Sequence, residues 1–214
     1  MKKIIAMILG FSMMLSFCGC NNGEKKEIKK DNTDKQIPEI VTGTMTFKNF
    51  GTITFELYPT KAPQSVYNFI YLAKMGWYDG IVVHRLVNDF VIQAGAYVSG
   101  YNQKVMTENY SIKGEFSSNG IDNPVSHKKG TLSWARTSVK DSASTQFFIC
   151  TNDMTASQLD GNYAAFGNVT DGFDVIDAIN AVQTSRDVPV TEIEIESVKI
   201  DSTFDFPKPD FIEK

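Results

Sequence analysis

The stretch His84-Arg85-Leu86-Val87-Asn88-Asp89-Phe90-Val91-Ile92-Gln93-Ala94-Gly95 places two β-prone arms around a short polar break. If Val87 and Val91 close a hairpin over residues 88–90, Arg85 lies opposite Gln93. Opposed residues of an antiparallel pair project to the same face of the sheet. His84 then alternates to the other face. The predicted arrangement is a guanidinium beside an amide, with Phe90 at the corner. That is a preset hydrogen-bond donor next to an apolar wall.

A second run has the same design. Ser144-Thr145-Gln146-Phe147-Phe148-Ile149-Cys150 reads as a strand from its aromatic and β-branched content. Period-2 alternation puts Gln146 and Phe148 on one face and Phe147 and Ile149 on the other. The two runs together offer Arg85, Gln93, Gln146, Phe90 and Phe148 to one shallow site.

The surrounding sequence supplies the scaffold. Residues 42–48 and 52–58 alternate around the turn Asn49-Phe50-Gly51, which predicts a hairpin. Pro63 opens a helix ending near Gly76, with Val66, Phe69, Ile70 and Ala73 as its buried stripe. Asp171 is a candidate cap for a second helix, with Phe173, Ile176 and Ile179 facing inward. Further short strands are expected at 82–87, 91–95, 130–135, 146–150, 164–169 and 191–200. Two helices among many short strands predict a mostly β fold, a closed antiparallel barrel with helices over its ends. Residues 97–129 form a long excursion with weak periodicity, of the kind that is usually functional or family-specific.

The segment before residue 42 has a different character. Lys2 and Lys3 precede a short apolar run, Ile4–Phe17, as in an export signal. The run is shorter than the ~20 residues a spanning helix needs. It ends in Phe17-Cys18-Gly19-Cys20, which looks like a bacterial lipoprotein signal cleaved after Gly19 and lipidated on Cys20. An ordinary secretory signal is the alternative. Residues 21–41 are polar and lysine-rich and read as a flexible tether with a reach of roughly 25 Å. The expected organisation is a signal over 1–20, this tether, one folded domain over 42–201 and an extended tail over 202–214. Phe204, Phe206 and Phe211 are candidates to pack the tail on the domain. The expected location is extracytoplasmic, anchored to a bacterial membrane by lipid on Cys20.

Composition narrows the function classes. The formal charge is −4 for the whole chain and becomes −6 once Lys2 and Lys3 are removed. No basic patch is evident, so nucleic acid is not an expected partner. Cys150 would be the one free thiol of a mature domain, expected in the core rather than as a nucleophile. The two histidines, His84 and His127, show no metal-ligand spacing. No metal or cofactor is expected, and nothing suggests more than a monomer.

The hairpin and the Gln146 strand resemble a pattern of the cyclophilin-type peptidyl-prolyl isomerases, roughly F-H-R-x-x-x-x-F-x-x-Q-G-G followed by S-Q-F-F-I. Further matches are Phe55-Glu56-Leu57-Tyr58, Ala62-Pro63 with Asn68-Phe69, Gly130-Thr131-Leu132-Ser133-Trp134-Ala135-Arg136, Leu159-Asp160-Gly161 and Phe166-Gly167. They occur in the family's order across about residues 42–201. The resemblance implies an eight-stranded barrel capped by two helices. It also implies isomerisation of Xaa-Pro bonds in proline-containing segments of unfolded or exported proteins. Arg85 would be the catalytic donor and Gln93 would orient it. Gln146 would hold substrate backbone, while Phe90, Val91, Phe148, Leu159 and Tyr163 hold the proline ring. Ala135 and Arg136 would present backbone groups to the residue before the proline. A binding module that captures such segments without turnover is the rival reading, and intact Arg85 favours catalysis. The chain departs from the family pattern at Val83, Val91 and Ala94. It also has Tyr163 and Gln158 where eukaryotic members carry histidine and tryptophan, changes that bear on cyclosporin affinity and substrate preference.

Overall fold

Alternating burial builds the first hairpin. In β1 (Val41–Phe47) Val41, Met45 and Phe47 point inward, and in β2 (Gly51–Leu57) Ile53, Phe55 and Leu57 do so. The register pairs Val41 with Leu57 and Phe47 with Gly51, so each strand starts one residue before its expected position. The computed structural model describes residues 36–106 and 109–213. The signal segment, Cys20 and most of the tether lie outside the described residues. Among the described residues no helix is long and apolar enough to cross a membrane.

Nine further strands join the same sheet: β3 (Ile81–Val82), β4 (Arg85–Val87), β5 (Val91–Ala94), β6 (Tyr97–Val98), β7 (Asn102–Gln103), β8 (Thr131–Trp134), β9 (Phe147–Cys150), β10 (Ala165–Asp171) and β11 (Glu194–Asp201). Their order is β4-β5-β9-β8-β10-β2-β1-β11-β3-β6-β7. The ladder is open, ending at β4 and β7, which corrects the expectation of a closed eight-stranded barrel. The reason lies at Val83–His84, where the run expected as one strand divides. Val83 N–H donates to Ile193 O (2.9 Å) on one side of the break, and His84 N–H donates to Gln93 O (3.2 Å) on the other. β3 therefore pairs with β11 and β6, while β4 pairs with β5. The covalent chain, not a hydrogen-bond ladder, spans the seam of the curled sheet.

Helix α1 (Pro63–Lys74) starts at Pro63 as expected and buries Val66, Phe69, Ile70 and Ala73. Phe69 is the hub of the core. The rings of Phe55, Tyr78, Trp134, Phe147 and Phe166 surround it at 5.1–6.4 Å. Ala62 has no side chain that could cap the helix. Glu115 does so from the long excursion, its carboxylate accepting from Gln64 N–H (3.0 Å) and Ser65 N–H (2.8 Å). A carboxylate is favoured at this end because it satisfies orphan donors and faces the positive end of the helix dipole.

Helix α2 (Phe173–Asn180) corrects two expectations. Its cap is Gly172 at φ +84°, where a Cβ would meet Thr52 O at 2.6 Å. Asp171 is instead the last residue of β10. Val175 joins Ile176 and Ile179 on the buried face, and Phe173 is exposed. A short α-helical turn, Ala156–Leu159, follows a 3-10 turn at Asp153–Thr155, and the sequence pattern predicts neither.

Two of the three tail aromatics pack on the domain as expected, while Phe204 leans on Phe206 at 4.7 Å. Phe206 meets Tyr67 at 5.9 Å, and Phe211 stacks on Tyr110 at 3.8 Å. Ile212–Glu213 pairs with Tyr110–Ser111, and Asp210 exchanges hydrogen bonds with Gln64. Removing one half-buried aromatic of this kind costs about 1–2 kcal/mol. Phe211→Ala is therefore expected to lower Tm by roughly 3–6 °C, measured by circular dichroism. An unchanged Tm would show that the tail rests on the domain without stabilising it.

Candidate active site

The site is assembled by register. Arg85 pairs with Gln93 across β4 and β5, and Gln93 pairs with Phe148 across β5 and β9. The three side chains form a row on one face, as the sequence predicts. Gly95 permits the close approach that brings the next segment alongside. It has φ +112°, and a Cβ there would strike Thr145 O at 2.2 Å. Trp77 Nε1–H fixes the same backbone by donating to Gly95 O (2.9 Å).

The hairpin loop is held from the end of α2. Asp89, at φ +56°, donates its N–H to Asn180 Oδ1 (2.9 Å), and Asn180 Nδ2–H returns a bond to Asp89 Oδ1 (3.1 Å). Asn88 Nδ2–H donates to Asn180 O. Phe90 O accepts from Thr151 N–H (3.0 Å). These bonds place Phe90 at the rim of a pocket of ≈ 280 Å³. The pocket is lined by Arg85, Phe90, Val91, Gln93, Ala135, Arg136, Phe148, Leu159 and Tyr163. Its apolar side is a satellite cluster of Val91, Phe148, Cys150 and Leu159, separate from the main core, with Phe90, Ala135 and Tyr163 packed against it.

Of the catalytic and substrate-binding residues expected from the sequence, Gln146 stands outside this lining. It borders an adjoining cavity of ≈ 310 Å³ that also contacts Trp77, Lys104 and Tyr110. Gln146 is nevertheless wired to the first pocket. Arg85 Nη1–H points to Gln93 Oε1 at 3.4 Å, and Gln93 Nε2–H donates to Gln146 Oε1 at 3.0 Å. A guanidinium has donors only, so it takes the carbonyl end of Gln93 and turns the amide nitrogen toward Gln146. Ala135 N–H is already committed to Gln146 O (2.9 Å). Of the backbone groups expected to face a ligand at Ala135, the carbonyl is therefore the one left for it. Arg136 is fixed as a wall, with Nε–H donating to Asn162 O and its guanidinium 4.6 Å from the Tyr163 ring.

Sequence reasoning missed the support beneath Phe148. His127 lies near-parallel to that ring at 6.1 Å. Its Nδ1 is 2.7 Å from Asp160 Oδ1 and its Nε2 is 2.9 Å from Ser133 Oγ. Burial pushes the His127 imidazole below its ordinary pKa, against the pull of Asp160. Burial raises the Asp160 carboxyl, but bonds from Ser126 and His127 outweigh it and hold the group below the usual range. The carboxylate accepts from Nδ1–H, so Nε2 accepts from the Ser133 hydroxyl. The distances resemble a nucleophilic triad. Ser133 is 0% and His127 1% exposed, however, so no substrate carbonyl can reach the hydroxyl. The trio is a buttress. Asp160, within Leu159-Asp160-Gly161, and Ser133, within the Gly130–Arg136 motif, carried a sequence signal as motif members but not as partners of His127. Asn180 and Asp187, which approaches Arg85 Nε at 3.6 Å, carried none.

Two other groups are electrostatically quiet. Burial drives the Cys150 thiol up to about 12, so it is no thiolate. His84 lies on the opposite face, its ring 4.7 Å from Tyr97. Burial lowers its pKa to about 4; a bond with Gln146 opposes the shift and the Arg85 charge adds to it. A neutral imidazole keeps a second positive charge away from Arg85.

Residues 42–200 match the family model for cyclophilin type peptidyl-prolyl cis-trans isomerase/CLD. A peptidyl-prolyl cis-trans isomerase of Acinetobacter baylyi is 41% identical over 162 residues, covering 72% of this chain and 82% of that protein. Peptidyl-prolyl cis-trans isomerase B of Escherichia coli is 38% identical over 163 residues, covering 71% and 95%. Among solved structures, a cyclophilin-type isomerase of Cryptosporidium parvum, determined in the presence of the dipeptide Ala-Pro, superposes with a TM-score of 0.64. It shares 25% identity, over 76% of this chain and 99% of that one. The chain belongs to the cyclophilin-type peptidyl-prolyl cis-trans isomerases.

The histidine shifts set a pH dependence of stability. The folded-state pKa of His84, about 4, lies below its ordinary 6.5. The unfolded chain therefore binds the proton more readily, and acidification favours unfolding. This contribution is fully present above pH 6.5 and is lost as the pH falls through about 4. His127 acts in the same direction. His84→Phe should therefore show a smaller loss of Tm than the wild type between neutral pH and that lower limit. Superimposable Tm profiles would exclude His84 as the titrating group.

Proposed function

We propose that this isomerase turns over Xaa-Pro bonds by donation from Arg85 to the prolyl nitrogen, acting on exported proteins from a lipid anchor at Cys20. The observation that carries the catalytic part is a charged donor on the wall of a small pocket with one apolar side, tethered through Gln93 to Gln146.

Amide resonance sets a barrier of ~20 kcal/mol to rotation about the Xaa-Pro bond. At the twisted transition state that resonance is lost, and the prolyl nitrogen becomes pyramidal with a localised lone pair. A donor aimed at it stabilises the transition state more than either planar ground state, and this difference accelerates the reaction. The ring of the proline is held by Phe90, Val91, Phe148, Leu159 and Tyr163, which also exclude water. Gln93 orients Arg85. Gln146, on the wall of the adjoining cavity, holds substrate backbone on the side away from the ring. No bond to the substrate forms or breaks, so the reaction draws on neither a nucleophile nor an acid–base pair.

Arg85→Ala should lower kcat/KM by at least ~10², the scale of losing a transition-state donor. The fold should survive, since the Arg85 side chain is 40% exposed and outside the core. A protease-coupled assay on a proline tetrapeptide measures the first and circular dichroism the second. Near-normal turnover in a folded variant would overturn the assignment of Arg85.

The anchoring part rests on Lys2-Lys3, the apolar run and Gly19-Cys20, followed by a polar tether with little surface to hold a bilayer. Cys20→Ser is expected to release the protein from membranes and leave isomerase activity unchanged. Fractionation after a high-salt wash, with palmitate labelling of the wild type, reads this directly. An unlabelled wild type would make this a simply secreted enzyme.

A further inference from the structure

Arg85 meets a partner on each edge of its guanidinium. Gln93 Oε1 lies 3.4 Å from Nη1, a long contact. Asp187 Oδ2 lies 3.6 Å from Nε on the other edge. Asp187 comes from a two-residue hairpin turn, Arg186–Asp187, between Thr184–Ser185 and Val188–Pro189. Both turn residues have positive φ, +53° and +64°. Such turns favour Asn-Gly or Asp-Gly, and an arginine in the left-handed region is uncommon.

This turn adds little to the core. Arg186, Asp187 and Val188 are exposed. Its interactions with the body of the fold concentrate on the strand that carries Arg85. Asp187 O accepts from Leu86 N–H at 2.7 Å, one residue from the guanidinium, and the carboxylate meets Nε. A strained turn held beside a reacting group points to a role in placing that group.

We propose that Asp187 is a positioning residue for Arg85, an inference that rests on Arg85 being the transition-state donor. A half-exposed arginine has four rotatable side-chain bonds and is not fixed by one 3.4 Å contact. A carboxylate is acceptor-only. Held on the Nε edge, it supplies a second fixed point and turns the opposite Nη edge into the pocket. The pair is solvent-screened, with side chains 40% and 53% exposed. The guanidinium therefore keeps its donor strength toward substrate, and the ion pair itself adds little to stability.

The test is a double-mutant cycle on the full-length protein, reading kcat, KM and Tm with a proline tetrapeptide. Asp187→Asn removes the charge and keeps a side chain that tolerates positive φ. It should lower kcat by about two- to fivefold, with KM and Tm unchanged. In an Arg85→Ala background the same substitution should have no further effect. If Arg85→Ala retains near-wild-type activity, the donor reading itself fails. If Arg85→Ala is impaired but Asp187→Asn has wild-type kcat, the positioning inference fails alone. A kcat loss of equal size in the Arg85→Ala background, or a fall in Tm without a change in kcat, would likewise overturn it.

Discussion

The pairing of Arg85 with Gln93 and of Gln93 with Phe148 is the constraint on which the site depends. Side chains alternate faces along a strand, so a slip of one residue in β5 would turn Val91 and Gln93 into the core and bring Ile92 to the pocket. The register is locked from both ends. At one end Asn180 grips the hairpin loop. At the other the missing side chain of Gly95 lets β5 lie against Thr145. The polar relay from Arg85 to Gln146 follows from that alignment.

Two apolar clusters divide the labour. The main core, centred on Phe69, holds the sheet against α1. The smaller cluster of Val91, Phe148, Cys150 and Leu159 stands apart and opens to the pocket. Phe148 belongs to the second cluster while its neighbours Phe147 and Ile149 belong to the first. The buttress of His127, Asp160 and Ser133 supports Phe148 from behind with satisfied hydrogen bonds. His127 and Ser133 are deeply buried yet tolerable because each has a partner, and Asp160 anchors them from the surface, giving a rigid floor beneath an otherwise open site.

Electrostatics around the site are simple. The two histidines stay neutral because burial penalises their charged forms. That leaves the guanidiniums of Arg85 and Arg136 as the charges facing the pocket. Arg136 is spent on Asn162 O and the face of Tyr163. Arg85, held only at its edges, is the group whose donors can be redirected toward a ligand.

The sequence by itself determined what short-range physics controls. Period-2 alternation gave the strands, Pro63 gave the start of α1, and the spacing of Val87 and Val91 gave the hairpin that sets Arg85 against Gln93. The order of motifs gave the family and most of the pocket lining. Tertiary structure decided the rest, because the deciding contacts join residues far apart in the chain. The sheet stays open because Val83 and His84 bond to different strands, which no local pattern encodes. Gly172 rather than Asp171 caps α2 because Thr52 and Ile53 press against that position. Glu115 caps α1 from 51 residues away, and His127 meets Asp160 across 33. Asp187 lies beside Arg85 because Leu86 N–H and, through Pro189 O, the Tyr101 hydroxyl hold its hairpin there. Periodicity records which way a side chain points from its own backbone; its partner is set by how the whole sheet curls.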